Sequence, residues 1–167
     1  MKELIRDIII VALIAVCIIT LVKPIIVKKT SMEPTLYEND YLIVGKQAYT
    51  LFGEPKRGDI VVFPHQEGDV TELYIKRVIG LPGESVTISD GLVFINGQAL
   101  EERYTKDGVT QGEVQDYIVP AGTVYVLGDN RLVSVDSRSE EVGCVSIDDI
   151  TGKALIRVYP FGSFGLL

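Results

Sequence analysis

The sequence is poor in the residue types from which many metal centres are built. Its 167 residues include one histidine, His65, and two cysteines, Cys17 and Cys144. No second histidine or carboxylate cluster stands at a metal-ligand spacing from His65, and the cysteines do not form a Cys-x-x-Cys pair. The sequence therefore predicts no metal and no other cofactor, two free thiols, and a surface-loop position for His65.

Basic side chains are scarce beyond the first thirty residues. Residues 1–30 carry five basic and two acidic side chains, whereas the remaining 137 residues carry 11 basic and 21 acidic ones. An acidic body of this kind repels polyphosphate, which argues against a nucleic-acid partner. The basic N-terminal part suits anionic lipid headgroups, so the partner it favours is a lipid bilayer.

One long apolar run is present, and it lies near the start of the chain. Residues 8–27 are almost entirely apolar, and as a helix they would be about 30 Å long, which is the thickness of the bilayer hydrocarbon. A cleavable signal peptide is the alternative, but its apolar core is usually shorter, and no small-x-small site follows Val22. The sequence therefore predicts a short tail at 1–7, a transmembrane anchor at 8–27 and one domain at 28–167.

Apolar residues after position 28 recur in short runs separated by glycine, proline and short polar residues, which is typical of strands and turns. The predicted strands are 41–44, 60–63, 73–79, 85–88, 92–95, 117–119, 124–127 and 154–158. Asp90-Gly91 predicts a tight hairpin turn, and Asn96-Gly97 predicts another. The polar segment 101–116 predicts a mobile excursion. The predicted fold is mainly β behind an N-terminal transmembrane helix.

Three segments carry residues that suggest chemistry. Ser31 begins Ser-Met-Glu-Pro-Thr-Leu, Lys76 lies in Tyr-Ile-Lys-Arg-Val-Ile-Gly, and residues 128–138 read Gly-Asp-Asn-Arg-Leu-Val-Ser-Val-Asp-Ser-Arg. A serine hydroxyl needs a base, and in a chain with one histidine a desolvated lysine is the economical partner. No serine has a lysine three positions later, which excludes the Ser-x-x-Lys pattern of penicillin-binding proteins. The residues therefore suggest a Ser-Lys hydrolase.

Together with the Arg57–Phe63 segment, these stretches resemble the type I signal peptidases, the membrane-bound enzymes that remove signal peptides from exported proteins. The resemblance runs nearly end to end and keeps the family's order of segments. It implies a β-rich signal-peptidase-type catalytic domain with a small cap at 101–116. It also implies a cytoplasmic N-terminus and a catalytic domain on the outer face of the membrane, an orientation that the basic residues on both sides of the apolar run do not decide.

The resemblance assigns Ser31 as the nucleophile and Lys76 as the general base. To accept a proton near neutral pH, the lysine needs its pKa lowered from about 10.4 toward about 8 by burial among apolar neighbours. Strand alternation predicts that Lys76 points away from Ile75 and Arg77, so that one of the two adjacent basic side chains is buried. The backbone N–H of Ser31 is one predicted oxyanion donor. Relatives often carry glycine or serine two positions before the nucleophile, where this chain has Lys29, so the second donor stays unassigned.

The resemblance also implies a support network and a substrate groove around these two residues. The Ser134 hydroxyl would orient the lysine amine. The other implied support residues are Arg77, Asp129, Asp136 and Arg138. The implied pocket walls are Met32, Leu36, Tyr74 and Ile75. Such bulky walls leave room only for small side chains at the substrate residues one and three before the cut.

Two hypotheses of different classes follow for the function. The first is a membrane-bound serine endopeptidase that removes signal peptides from exported preproteins and cuts after Ala-x-Ala. The alternative is a catalytically silent, membrane-anchored β module that binds exported chains. The presence of both Ser31 and Lys76 at the family spacing favours the enzyme. Self-processing, as in the related self-cleaving repressors, is a third hypothesis, and the retained anchor and the lack of a DNA-binding segment count against it.

Overall fold

The structure is a computed structural model, and it describes residues 2–46, 49 and 53–167. Its N-terminal helix, α1, spans Lys2–Leu21. The strands of the described residues are β1 Val22–Ile26, β2 Tyr41–Gly45, β3 Ile60–Glu67, β4 Val70–Gly80, β5 Ser85–Ser89, β6 Leu92–Ile95, β7 Gln98–Ala99, β8 Val114–Ile118, β9 Thr123–Leu127, β10 Val145–Ser146, β11 Gly152–Tyr159 and β12 Gly165–Leu166. The predicted mainly-β fold class is confirmed.

The apolar run predicted as one anchor at 8–27 is divided between a helix and a strand. The helix α1 already includes the predicted tail and ends at Leu21, and β1 follows at once, paired antiparallel with β2. Pro24 accounts for the change, because it lacks the N–H that a helix needs and is tolerated in an edge strand. The prediction that the helical anchor continues beyond Leu21 is therefore wrong, because Val22–Ile26 forms a strand. Within residues 2–46, 49 and 53–167, no helix is both long enough and apolar enough for a membrane crossing.

Two antiparallel sheets build the body. The larger has the strand order β1-β2-β11-β3-β4-β9-β10, with β12 beside β11, and the smaller has the order β7-β6-β5-β8. Strand β1 lies at an edge of the larger sheet. Strand β4 pairs with β3 along residues 70–77, whereas its pairing with β9 begins at Arg77. In the described part of the chain, residues 70–76 of β4 therefore present a second open edge.

Both tight turns predicted from the sequence are confirmed. Strands β5 and β6 form the predicted hairpin, and β6 and β7 form the next. Asp90 and Gly91 have φ values of 52° and 78°, and Asn96 and Gly97 have φ values of 51° and 77°. Consecutive residues with positive φ are the signature of the type I′ turn that matches the twist of a hairpin.

The segment 101–116 packs on the body more closely than its polar sequence predicts. Its last residues belong to β8, which pairs with β5. Thr110 is only 2% exposed, and its backbone N–H donates to the carbonyl of Gly91 at 2.8 Å. Glu102 forms a 2.5 Å ion pair with Arg131, whose side chain is 1% exposed. Buried polar partners outside the segment, which local composition does not reveal, account for the difference.

The predicted loop position of His65 is wrong. His65 lies within β3, its side chain is 12% exposed, and its ring centroid is 4.5 Å from that of Tyr74. The strand continues through Pro64 as far as Glu67, because Val70–Gly80 supplies a long partner strand. Strand pairing outweighs the local turn signal of the proline.

The cysteine prediction is confirmed where the structure describes it. Cys144 has a free thiol and packs beside the apolar cluster of the smaller sheet. Burial raises the pKa of this thiol, which keeps it in the neutral form. The side chain of Cys17 lies outside the described part of the chain.

Candidate active site

Ser31 and Lys76 meet although 45 positions separate them in the chain. Ser31 follows edge strand β1 after a short connection, and Lys76 lies in β4 where its second edge is open. The Nζ of Lys76 donates a 2.7 Å hydrogen bond to the Oγ of Ser31. A hydroxyl and an amine at this distance are in direct reach for proton transfer.

The environment of Lys76 favours its neutral form. The residue is 3% exposed, and its ammonium lies 5.0 Å from the ring centroid of Tyr74. Burial lowers the pKa of Lys76 to about 8, because desolvation penalises the charged amine. The carboxylate of Asp136 opposes this shift, and the positive charge of Lys29 adds to it. About one tenth of the amine is therefore unprotonated at pH 7, far more than for a lysine of ordinary pKa.

Both adjacent basic side chains are buried, which differs from the prediction that one of them would be. Arg77 is 9% exposed, and its Nε and Nη2 donate to the two carboxylate oxygens of Asp129 at 2.8 and 2.6 Å. The strand register accounts for the pairing: Arg77 lies opposite Leu127, so the chain leaving β9 brings Asp129 within reach. The fork satisfies a buried guanidinium with a buried carboxylate.

Two residues that the sequence did not single out complete this ion pair. Thr35 donates its hydroxyl to Asp129 at 2.5 Å and accepts a bond from Arg77 at 3.3 Å. The ring of Tyr104 covers the guanidinium of Arg77 at 4.1 Å, in cation–π geometry. Thr35 lies within the serine segment itself, so its position there was a usable signal. Tyr104 lies in the segment predicted as an excursion, and its sequence gave no such signal.

A second fork joins a half-buried arginine to a buried carboxylate in the same segment. Arg138 donates from Nε and Nη2 to Asp136 at 2.8 and 2.9 Å. The backbone N–H of Gly128 donates to the same carboxylate at 3.0 Å, and Arg138 also donates to the carbonyls of Arg131 and Ser134 at 2.8 and 3.2 Å. These hydrogen bonds all lie within residues 128–138, so they hold the backbone of this segment in one conformation.

The same segment holds the backbone on both sides of the Ser31 side chain. Asn130 donates its backbone N–H to the carbonyl of Ser31 at 3.0 Å and its side-chain amide to the carbonyl of Thr30 at 3.2 Å. A Cβ added at Gly128 would stand 2.5 Å from the carbonyl oxygen of Ser31 and 2.6 Å from the Cβ of Ser134. Glycine is required at this position because no side chain fits between the two segments.

Ser134 lies close to the site, but its hydroxyl does not make the predicted contact. The Oγ is buried and has no hydrogen-bond partner among the described residues. Its backbone N–H donates to the carbonyl of Asn130 at 3.1 Å, so the local turn sets its position. The role implied for Ser134 in orienting the lysine amine therefore stays a prediction.

A groove of about 470 Å³ opens beside Ser31 and Lys76. One wall consists of residues 23–29, the other consists of residues 70–76, and Ser31 and Met32 close one end. Of the four predicted pocket residues, Met32, Tyr74 and Ile75 line this groove. Leu36 does not: it is fully buried and packs in the apolar core with Leu42 and Val44. The pocket role implied for Leu36 therefore stays a prediction.

Lys29 spans the two walls of the groove. Its Nζ lies 2.5 Å from a carboxylate oxygen of Glu67 and 2.9 Å from one of Glu72. The same ammonium lies 4.8 Å from the ring centroid of Tyr74. Hydrogen bonds to the two glutamates raise the pKa of Lys29 although desolvation opposes them, so the side chain is charged.

The arrangement has the parts needed for nucleophilic cleavage of a carbonyl substrate. It combines a hydroxyl, a buried amine of lowered pKa and a groove with two open strand edges. In the part of the chain that the structure covers, no group of three or more His, Cys, Asp or Glu side chains stands close enough to hold a metal ion.

Comparisons with known proteins give one consistent result. The family model described as signal peptidase, peptidase S26, matches residues 1–159. A signal peptidase I of Leptolyngbya laminosa is 45% identical over 148 residues, which are 82% of this chain and 68% of that protein. Signal peptidase I U of Bacillus subtilis (strain 168) is 37% identical over 163 residues, which are 93% of this chain and 85% of that protein. The crystal structure of a signal peptidase I from Enterococcus faecalis V583 is 33% identical, with a TM-score of 0.50, and covers 60% of this chain and 96% of its own.

Proposed function

From the premise that the chain belongs to the signal peptidase family, peptidase S26, we infer that it is a serine peptidase that removes signal peptides from preproteins. We propose that Ser31 is its nucleophile and Lys76 its general base. The observation that carries this proposal is the 2.7 Å contact between Nζ and Oγ, made by a lysine that is almost fully buried. The silent binding module is not favoured, because it gives no reason for a buried lysine on a serine hydroxyl.

In the proposed mechanism, the neutral amine of Lys76 takes the proton of the Ser31 hydroxyl as Oγ attacks the scissile carbonyl. The backbone N–H of Ser31 donates to the developing oxyanion. The lysine then gives its proton to the leaving amine, which releases the mature protein and leaves an ester on Ser31. A water molecule, deprotonated by the same amine, hydrolyses the ester and restores the free hydroxyl.

The groove fits an extended substrate. Its walls are the open edges of β1 and of residues 70–76, and both offer backbone groups to a chain lying between them. In an extended chain, alternate side chains point to the same side. The residues one and three before the cut would therefore face the walls formed by Met32, Tyr74 and Ile75, while the residue between them would face away.

The helix α1 supports attachment to a membrane. Most of its large apolar side chains with described exposure are between 46% and 68% exposed, and no described part of the body covers them. These residues are Leu4, Ile5, Ile8, Ile9, Ile10, Val11, Leu13, Val16 and Ile19. We propose that this surface binds the bilayer and keeps the groove near it. Single-pass topology, with a cytoplasmic N-terminus and an extracytoplasmic catalytic domain, stays a prediction.

Cleavage is expected to follow the deprotonation of Lys76. Since the pKa of this amine is about 8, the base form is lost as the pH falls below that value. The rate constant kcat/KM should therefore fall about tenfold for each pH unit below about 7.5 and level off above about 9. A profile measured on one labelled preprotein tests this. A plateau extending down to about pH 6 would show that Lys76 is not the titrating base.

The function is tested most simply by mapping the cut. A purified preprotein with Ala-x-Ala before the scissile bond should be cleaved after the second alanine. Phenylalanine placed one or three residues before the bond should reduce kcat/KM by about 10- to 200-fold, whereas phenylalanine between them should be tolerated. Equal tolerance at all three positions would contradict the proposed pockets, and no cleavage at all would contradict the function.

A further inference from the structure

The contact of Lys29 with Glu67 and Glu72 connects two surfaces between which the substrate must lie. Lys29 belongs to the wall of residues 23–29, Glu72 belongs to the opposite wall, and Glu67 lies at the end of β3 beside it. The three side chains are 47%, 49% and 33% exposed, for Lys29, Glu67 and Glu72 in that order. Exposure of this degree places the contact at the solvent side of the groove and not on its buried floor.

The contact also lies close to the reacting groups. Tyr74 has the ammonium of Lys29 at 4.8 Å and that of Lys76 at 5.0 Å from its ring centroid. Its hydroxyl donates to Glu67 at 3.5 Å. The side chain of Lys29 extends across the groove to the two glutamates. A substrate chain that enters the groove to reach Ser31 must therefore pass this side chain.

We propose that Lys29, Glu67 and Glu72 form an ionic clasp across the mouth of the groove, and that a substrate must open this clasp to reach Ser31. The inference rests on the proposed function. It assigns Lys29 the role of setting the fraction of protein molecules whose groove is open to substrate. When a binding-competent state is only partly populated, the apparent affinity falls by that fraction. Exposed ion pairs are weak one by one, so a lysine shared by two carboxylates suits a clasp that a substrate is able to displace.

Removal of the clasp should strengthen substrate binding without changing the chemistry. We expect Lys29→Met, which keeps most of the apolar stem, to lower KM for a preprotein about threefold to tenfold. When measured at about pH 10, kcat should stay within about twofold of the parent, because Lys76 is then unprotonated in both chains although the charge of Lys29 contributes to its lowered pKa. The double variant Glu67→Gln/Glu72→Gln should also lower KM, because it removes both carboxylate partners of Lys29.

Salt offers a readout that a purely structural role would not change. Between about 0.1 M and about 1 M salt the screening length falls from about 10 Å to about 3 Å. The KM of the parent should therefore fall with salt relative to that of Lys29→Met. Lys56→Met is the matched control, because Lys56 is exposed and its ammonium has no ion-pair partner among the described residues. This control should keep both the KM and the salt response of the parent.

A binding measurement separates the clasp from the catalytic proposal. In Ser31→Ala chains, which do not depend on cleavage, calorimetry with an Ala-x-Ala peptide should give a lower Kd when Lys29→Met is added. If the parent cleaves no preprotein but this Kd still falls, the proposed function fails and the clasp stands. A KM that rises or stays the same in Lys29→Met, a loss of kcat at about pH 10, or no peptide binding with or without Lys29 would each overturn the clasp.

Discussion

Replacing Ser31 by alanine or Lys76 by methionine should abolish preprotein cleavage while the chain still folds. Each change removes one partner of the 2.7 Å contact on which the proposed proton transfer depends. Because nucleophile and base act as a unit, either loss should lower kcat by about 10⁴-fold or more, and the double variant should be little worse. The measurement is single-turnover cleavage of a labelled preprotein by each purified variant.

The control for this prediction is again Lys56→Met, which removes an exposed lysine and should keep the parent rate. Thermal unfolding of Ser31→Ala should resemble that of the parent, since the substitution removes one hydroxyl at a half-buried position. Lys76→Met replaces a buried, partly neutral amine with an apolar chain of similar length, so the fold should also tolerate it. Cleavage by either variant above a few per cent of the parent rate would contradict the Ser-Lys assignment.

Replacing Asp129 by alanine should destabilise the fold more than any other single change considered for this protein. The substitution leaves the guanidinium of Arg77 buried without its two charged hydrogen bonds and also removes the partner of Thr35. Breaking one side of a buried ion pair costs about 3–5 kcal/mol of the free energy of unfolding. Denaturant unfolding followed by circular dichroism measures this loss.

Glu101→Ala is the matched control for the Asp129 variant. Glu101 forms its ion pair with Arg103, and the two side chains are 74% and 87% exposed. An exposed pair contributes little, so this variant should change the free energy of unfolding by less than about 1 kcal/mol. Equal effects of the two substitutions would show that the Arg77–Asp129 fork is not a structural support of the site.

The sequence predicted the strands and turns whose signals are local. Strand β5, strand β6 and the turn at Asp90-Gly91 agree with the structure because alternating apolar residues and a residue pair that tolerates positive φ are each sufficient on their own. The contact between Ser31 and Lys76 was also expected, but from resemblance to a family and not from periodicity.

The remaining features depend on partners that are distant in the chain. Val22–Ile26 continues the apolar run of the helix before it, and although Pro24 ends the helix there, the pairing with β2 is what makes the segment a strand. Leu36 and Met32 both pack in the apolar core, yet of the two only Met32 also lines the groove, and no local pattern distinguishes them. The sequence around Lys29 does not predict its ion-pair partners, because Glu67 and Glu72 belong to a hairpin far along the chain.

Burial is what we propose makes Lys76 a base, and a titration of its amine is the decisive measurement. Lysine side chains labelled with ¹³C can be followed by NMR as the pH is raised, and the signal of Lys76 is identified by its absence in Lys76→Met. We expect a pKa of about 8 for this amine in the folded parent chain. A pKa at or above about 10.4, the ordinary value for lysine, would mean that the amine stays charged beside Ser31, and the Ser-Lys mechanism would be contradicted.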